Sequence, residues 1–205
     1  MGASSIAIDD FARYLRAHGC TRAWLVAMGV IAVAAGALQW IALPAVNPDR
    51  DIPTSMETVG TVLGLLVAAG VAHLLPPEFP QHETTSSRDL RTDRAALMAV
   101  AALTCVVCSL VVIIIAPPEL TLVTVLRTYA LIIGVHLTGA LLGGHTAGTV
   151  TSLVFVAAQS VEGMIPWALN LLFNPVNVDV TWVVSTVAWA VSFALFTARG
   201  TRPGA

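Results

Sequence analysis

Long apolar runs separated by short polar segments make up most of the chain. Six runs of roughly 20 residues carry few or no charged side chains. Because ~20 apolar residues in a helix cover the ~30 Å hydrocarbon layer of a bilayer, each run predicts a membrane span. The predicted spans are Ala23 to Leu43, Glu57 to Leu75, Ala95 to Ala116, Leu120 to Leu142, Ala147 to Phe173 and Asp179 to Ala198. The sequence therefore predicts an all-α membrane protein, with six transmembrane helices in one domain over residues 23–198.

The positions of the arginines predict its orientation. Loops rich in Lys and Arg stay on the cytoplasmic side of a membrane. With both termini in the cytoplasm, Arg50 is the one arginine in an external loop and Arg127 lies within a span. The other eight are then cytoplasmic: Arg13, Arg16, Arg22, Arg88, Arg91, Arg94, Arg199 and Arg202. We expect a multi-pass protein of the plasma membrane with a cytoplasmic tail at 199–205.

Two soluble segments are long enough to have a structure of their own. In residues 1–22, apolar side chains recur every three or four positions among charged ones, which predicts an amphipathic helix on the inner membrane surface. A flexible, solvated tail is the alternative. Residues 76–94 begin with prolines and end in a charged stretch that Ser86 or Ser87 can cap, which predicts a short cytoplasmic helix.

The fifth run is too long and too interrupted for a plain helix. Gln159, Glu162, Gly163, Pro166 and Asn170 all fall in its second half. One interpretation is a break near Gly163 to Pro166 followed by a short re-entrant segment, which protein or a wet cavity must then shield. A single proline-kinked span is the other.

Two ionisable residues are predicted inside the membrane. Arg127 lies ~10 Å below the outer end of the fourth span and Glu162 at a similar depth in the fifth, from a rise of 1.5 Å per residue. Such residues face the bundle interior and mark transport routes, or they form an ion pair that fixes helix register. Arg127 could also extend to the outer interface.

Composition excludes several classes of function. The chain is 57% hydrophobic and 11% charged, and all ten basic residues are arginine. Without lysine, neither a Walker A loop nor a Schiff base can form. A net charge of −2 gives no basic field for nucleic acid. Cys105 and Cys108 form a Cys-x-x-Cys motif, but their apolar surroundings do not favour redox chemistry. We predict no catalytic residues, no metal site and no cofactor in this chain.

Two stretches carry a resemblance to a known family. Ser86 to Arg94 followed by Ala95-Ala96-Leu97, and Leu126 to Gly134 continuing to Gly143-Gly144, resemble small permeases of actinobacterial exporters. With its six-span layout, nearly the whole chain resembles the permease subunits of ABC transporters of the type-2 exporter class. Thr128 departs from the Asn that usually follows the arginine in that group, which leaves the role of Arg127 open.

The resemblance implies an exporter subunit that does not bind ATP itself. Separate ABC ATPase subunits would hold the nucleotide, and a second permease chain, identical or related, would complete the path. The cargo would be an amphipathic peptide or a hydrophobic small molecule. The segment from Glu78 to Arg94 would couple to the ATPases, with charged residues Glu78, Arg88, Asp89, Arg91 and Arg94 as its contacts.

Two other functions are compatible with six spans. The chain could be the substrate-capture subunit of an energy-coupling-factor vitamin importer, docking through the small residues Ala32 to Gly36. It could also be a non-transporting scaffold or immunity protein, in which case Glu162 should fully neutralise Arg127. The spacings Gly60 to Gly64 and Gly139 to Gly143 fit close helix packing either within the chain or between two copies.

Overall fold

The computed structural model describes residues 12–43, 58–75, 90–161 and 164–199, whose regular elements are all helices. Residues 12–17 are helical and precede helix α1. A 3₁₀ turn, Leu38–Trp40, extends α1 at its end. The helices are α1 Arg22–Ala37, α2 Val59–Val62, α3 Gly64–Ala72, α4 Arg91–Ile115, α5 Leu122–Gly143, α6 His145–Ser160 and α7 Val178–Arg199.

Four segments are long and apolar enough to cross a membrane. They are Arg22–Trp40, Arg91–Ile115, Leu122–Gly143 and Val178–Ala198. These four are consistent with a multi-pass membrane protein. The second predicted span is a shorter apolar helix, Val59–Ala72, which is interrupted at Leu63. The fifth predicted span, to Phe173, is too long, because α6 ends at Ser160.

Threonine is the N-cap residue of several of these helices. Thr21 accepts a hydrogen bond from the backbone N–H of Trp24, and Thr121 accepts one from Thr124. Thr58 does the same for Thr61 at the start of α2. Each satisfies one of the amide groups that a helix leaves unpaired at its start, so the polar residues at the ends of the apolar runs set where the helices begin.

Helix α5 lies at the centre of the bundle and contacts α3, α4, α6 and α7. Small residues permit this. A Cβ atom on Gly139 would lie 3.0 Å from the Cα of Gly148 in α6, and one on Gly134 would lie 3.0 Å from the Cβ of Ala188 in α7. In α2, a Cβ on Gly60 would overlap the carbonyl oxygen of Ala35. These glycines therefore serve packing within the chain.

Side-chain hydrogen bonds between helices define the two ends of the bundle. Trp40 Nε1 donates to Ile115 O at 3.0 Å, so α1 and α4 end together. Trp24 Nε1 donates to Gly70 O at 2.8 Å, which places the end of α3 beside the start of α1. All arginines of the described residues other than Arg127 lie at this second end, called here the arginine-rich end: Arg13, Arg16, Arg22, Arg91, Arg94 and Arg199.

Candidate functional site

The segment after α6 folds back onto the end of the bundle opposite the arginine-rich end. Helix α6 stops at Ser160 because Val161 is extended, and Pro166 lacks the N–H that a continuing helix needs. The predicted break is confirmed, a few residues earlier than expected. Two 3₁₀ turns, Trp167–Leu169 and Pro175–Asn177, then lead into α7. We call residues 164–177 the folded-back segment.

Gln159 attaches the folded-back segment to the last turn of α6. Its side-chain oxygen accepts hydrogen bonds from Leu171 N at 2.7 Å and Leu172 N at 3.4 Å. Asn170 Nδ2 returns a bond of 2.7 Å to the backbone oxygen of Gln159. On the far side, Thr181 of α7 donates to Leu171 O at 3.0 Å. The segment is thus bonded to both of the helices that it connects.

Three asparagines satisfy the irregular backbone of the segment. Asn170 Oδ1 accepts from Phe173 N, and Asn174 Nδ2 donates to Trp167 O, both at 2.9 Å. Asn177 Nδ2 donates to Asn170 O at 2.9 Å. Side-chain amides supply donors and acceptors without charge, which non-helical backbone requires when water is excluded. Leu172 and Phe173 are fully buried, whereas Met164, Leu169 and Val176 are exposed, so the middle of the segment packs into the bundle and is called here the plug.

Arg127 lies directly beneath this plug. It is only 2% exposed, so the surrounding protein encloses its side chain. Its extension to an outer membrane interface stays a prediction. Its Nη2 donates to Leu172 O at 3.5 Å, while its Nε has no partner among the described residues. The next side chain, Thr128, is also buried with an unpartnered hydroxyl oxygen there. Unsatisfied buried donors favour an anionic group at this position.

The predicted partner of Arg127 lies outside the described residues. Glu162 follows α6 by two positions, and the ion pair between the two stays a prediction. The structure records no salt bridge from Arg127 to a carboxylate of the described residues. Asp93 lies in the first turn of α4 at the opposite end of the bundle, and Asp179 lies in the first turn of α7.

At the arginine-rich end, residues 12–20 are fastened to the end of α3. His18 Nδ1 donates to Leu74 O at 2.8 Å, and His18 is buried. Gly19 turns the chain with a φ of +76°, and a Cβ there would lie 3.0 Å from His73 Nε2. Only glycine adopts this backbone readily. The sequence did not predict this connection, because neither histidine belongs to a recognisable motif.

Of the predicted ATPase-coupling residues, the structure describes two. Arg91 is exposed and Arg94 half-buried in the first turn of α4. Glu78, Arg88 and Asp89 lie outside the described residues, as do residues 1–11 of the predicted surface helix. Since Leu74 and Leu75 lead into residues 76–94, the N-terminal residues 12–20 touch the chain immediately before the predicted coupling segment.

Two further sets of side chains are explained by packing. Cys105 and Cys108 are each 3% exposed inside α4, which leaves their thiols inaccessible to a partner. His136 contacts Ser152 Oγ at 3.0 Å between α5 and α6, and both are buried. Just before α1, burial raises the pKa of the Cys20 thiol, which disfavours a thiolate there.

No protein-family model, curated protein or solved structure matches the chain. The fold is that of an all-helical protein with several helices long and apolar enough to cross a membrane.

Proposed function

We propose that this chain is the membrane subunit of an ABC exporter of the type-2 class, worked by separate ATPase subunits at its arginine-rich end. The observation that carries the proposal is the folded-back segment between α6 and α7, set at the end of the bundle opposite the arginines. This arrangement agrees with the layout that the resemblance implies. All six helical passes, with both termini in the cytoplasm, belong to the proposal.

The ATPase subunits would transmit the energy of ATP binding to this chain as a mechanical displacement. Closure of the ATPases on nucleotide would displace the segment from Glu78 to Arg94. The bond between His18 and Leu74 would make the N-terminal residues move with the end of α3, because a buried hydrogen bond resists separation of the two. Trp24 bonded to Gly70 would pass the displacement to α1. Rigid tilting of packed helices is a common form of such transitions.

Cargo would be amphipathic or hydrophobic. The bundle offers many apolar side chains and few charges to a path, and Arg127 and Asp93 are the buried charged side chains among the described residues. An acidic group on the cargo, or the carboxylate of Glu162, would pair with the Arg127 guanidinium. A second permease chain, identical or related, would complete the path.

The importer alternative gains no support from α1. Ala32 is buried, and a Cβ on Gly36 would lie 3.0 Å from Ile115 Cβ in α4. The small residues from Ala32 to Gly36 therefore pack inside the chain, and a docking partner could not use the buried ones without displacing α4.

A cross-linking experiment tests the proposal. A photoreactive residue is placed at position 88 in the coupling segment, and a matched control at position 176, whose side chain is 86% exposed at the opposite end. After irradiation in cells, the position-88 adduct should contain a second protein that azido-ATP labels, and the position-176 adduct should not. Adducts from position 88 that never bind nucleotide would contradict the proposal and favour a scaffold.

A variant connects this contact to activity. A triple variant in which Arg88, Asp89 and Arg91 are each changed to Ala should lose export while its membrane insertion remains normal. Normal export by that variant would refute the coupling role.

A further inference from the structure

His136 and His145 bring two imidazole rings together at the arginine-rich end, where α5 is followed by α6. Their ring centroids lie 5.8 Å apart, with the ring planes inclined at 58°. The chain reverses between the two helices at Gly144, which adopts a φ of +86°. His136 is buried, whereas His145 is exposed. No sequence motif connects the two histidines, which are nine positions apart, so only the fold reveals the pair.

The hydrogen bonds of Ser152 assign the tautomer of His136. The Ser152 hydroxyl donates to Thr149 O at 3.1 Å, because a carbonyl oxygen can only accept. The hydroxyl oxygen can then accept from His136 Nδ1, which lies 3.0 Å from it. The other tautomer would give up the bond to Thr149 and leave a buried N–H without an acceptor, which is costly. His136 therefore carries its proton on Nδ1.

The opposite nitrogen of His136 is then an unprotonated lone pair in the protein interior. Nε2 is buried and has no hydrogen-bond partner among the described residues. Packing between α5 and α6 explains the ring and its Nδ1 bond, but it does not explain an acceptor that no donor faces. A histidine that binds a metal has this arrangement, because one nitrogen ligates the ion while the other donates to a neighbouring oxygen and orients the ring.

The distance between the two rings fits an ion held between them. A nitrogen ligand lies about 2.0–2.1 Å from Zn²⁺, which puts the centre of each imidazole about 3.2 Å from the ion. Two such rings are about 5.2 Å apart at a tetrahedral angle and about 6.4 Å apart in line, and the observed 5.8 Å falls between. Within the described ranges, no group of three or more His, Cys, Asp or Glu side chains could hold a metal, so water must supply the other ligands.

We propose that His136 Nε2 and the His145 imidazole bind a divalent transition-metal ion, Zn²⁺ or Ni²⁺, between α5 and α6. Neutral imidazole suits these ions, whereas Mg²⁺ and Ca²⁺ prefer oxygen ligands. Because His145 is exposed, the ion exchanges with solvent, and while bound it fastens the start of α6 to α5. The inference is independent of the proposed exporter function, since it needs only the contact between these two helices.

Calorimetric titration with Zn²⁺ tests the site. The full chain is purified in detergent without a histidine tag and is stripped of metal with a chelator, which is then removed. We expect one Zn²⁺ bound per chain and no binding of Mg²⁺. His145→Ala changes an exposed side chain and should fold normally. This variant and Ser152→Ala, which removes the oxygen that orients His136, should each bind Zn²⁺ about tenfold more weakly or worse.

His73→Ala is the matched control, because His73 is an exposed histidine at the same end of the bundle but outside the pair. It should bind Zn²⁺ like the wild type. Thermal unfolding is a second measurement: Zn²⁺ should raise the Tm of the wild type and of His73→Ala, but not that of His145→Ala. Equal affinities in the wild type and His145→Ala, or no binding by the wild type, would overturn the proposal. Loss of binding in His73→Ala would also overturn it, because the ion would then lie elsewhere.

Discussion

Gln159 and Leu171, twelve positions apart, are joined by a hydrogen bond of 2.7 Å from the backbone N–H of Leu171 to the side-chain oxygen of Gln159. The bond closes the end of α6 onto the folded-back segment. Because the same oxygen also accepts from Leu172, a single side chain satisfies two amide groups of buried, non-helical backbone.

Replacing Gln159 with Leu should therefore destabilise the protein. The change leaves both N–H groups buried without an acceptor, at a cost of about 1–3 kcal/mol. Thermal unfolding in detergent measures this as a lower Tm. Ser160→Ala is the control, since among the described residues its hydroxyl bonds to Val156 O of its own helix. Equal Tm values for the two variants would show that the plug is not held by Gln159.

Glycine positions offer a paired test of the packing. Gly60→Ala places a methyl group against Ala35 O and the Gln39 side chain and should cost roughly 1–3 kcal/mol. Gly29→Ala meets open space and should be neutral or stabilise α1 by about 0.5–1 kcal/mol. Unfolding free energies from denaturant titration distinguish the two. The packing described here is wrong if both variants behave alike.

The sequence predicted the apolar helices and the break after α6, because length, hydropathy and proline act locally. For the fifth run, to Phe173, it left a break near Gly163 to Pro166 and a single kinked span both open, and α6 ends earlier than either, at Ser160. Leu171, Leu172 and Phe173 are apolar yet follow the end of the helix, so their hydropathy signals burial and not a helix. Hydropathy alone does not distinguish the two.

The sequence did not predict the long-range contacts, because hydropathy and local motifs do not show which distant residues meet. The bond from His18 to Leu74 spans 56 positions, and no motif marks either residue. The sequence predicted Arg127 about 10 Å inside a membrane span, from a rise of 1.5 Å per residue. That depth stays a prediction, and its side chain is buried within the bundle. The oxygen that it contacts belongs to a backbone carbonyl, which no side-chain pattern can reveal.

His18→Ala should release the N-terminal residues from α3. Loss of one buried hydrogen bond, about 1 kcal/mol, raises the population of the detached form about fivefold. Because Arg13 and Arg16 are exposed on this segment, trypsin should cut there correspondingly faster. His145→Ala, at an exposed position, should leave the cutting rate unchanged. An unchanged rate in His18→Ala would remove this bond from the proposed coupling route.

The predicted ion pair between Arg127 and Glu162 is testable by a double-mutant cycle. Glu162→Gln should destabilise the protein by about 3 kcal/mol, because it leaves the guanidinium buried without a counter-charge. Adding Arg127→Met should restore much of that loss, since an apolar side chain needs no partner. Additive effects of the two changes on the unfolding free energy would show that the side chains do not interact.

The most direct test of the account is the orientation of the bundle, since an ATPase can act only on an end that faces the cytoplasm. On a background without native cysteines, single cysteines replace Glu119, Val176 and Thr92, all at exposed positions. A membrane-impermeant maleimide applied to intact cells should label the cysteines at 119 and 176. The cysteine at 92, in the first turn of α4, should be labelled only after permeabilisation. Labelling at 92 in intact cells, with protection at 119 and 176, would contradict the account.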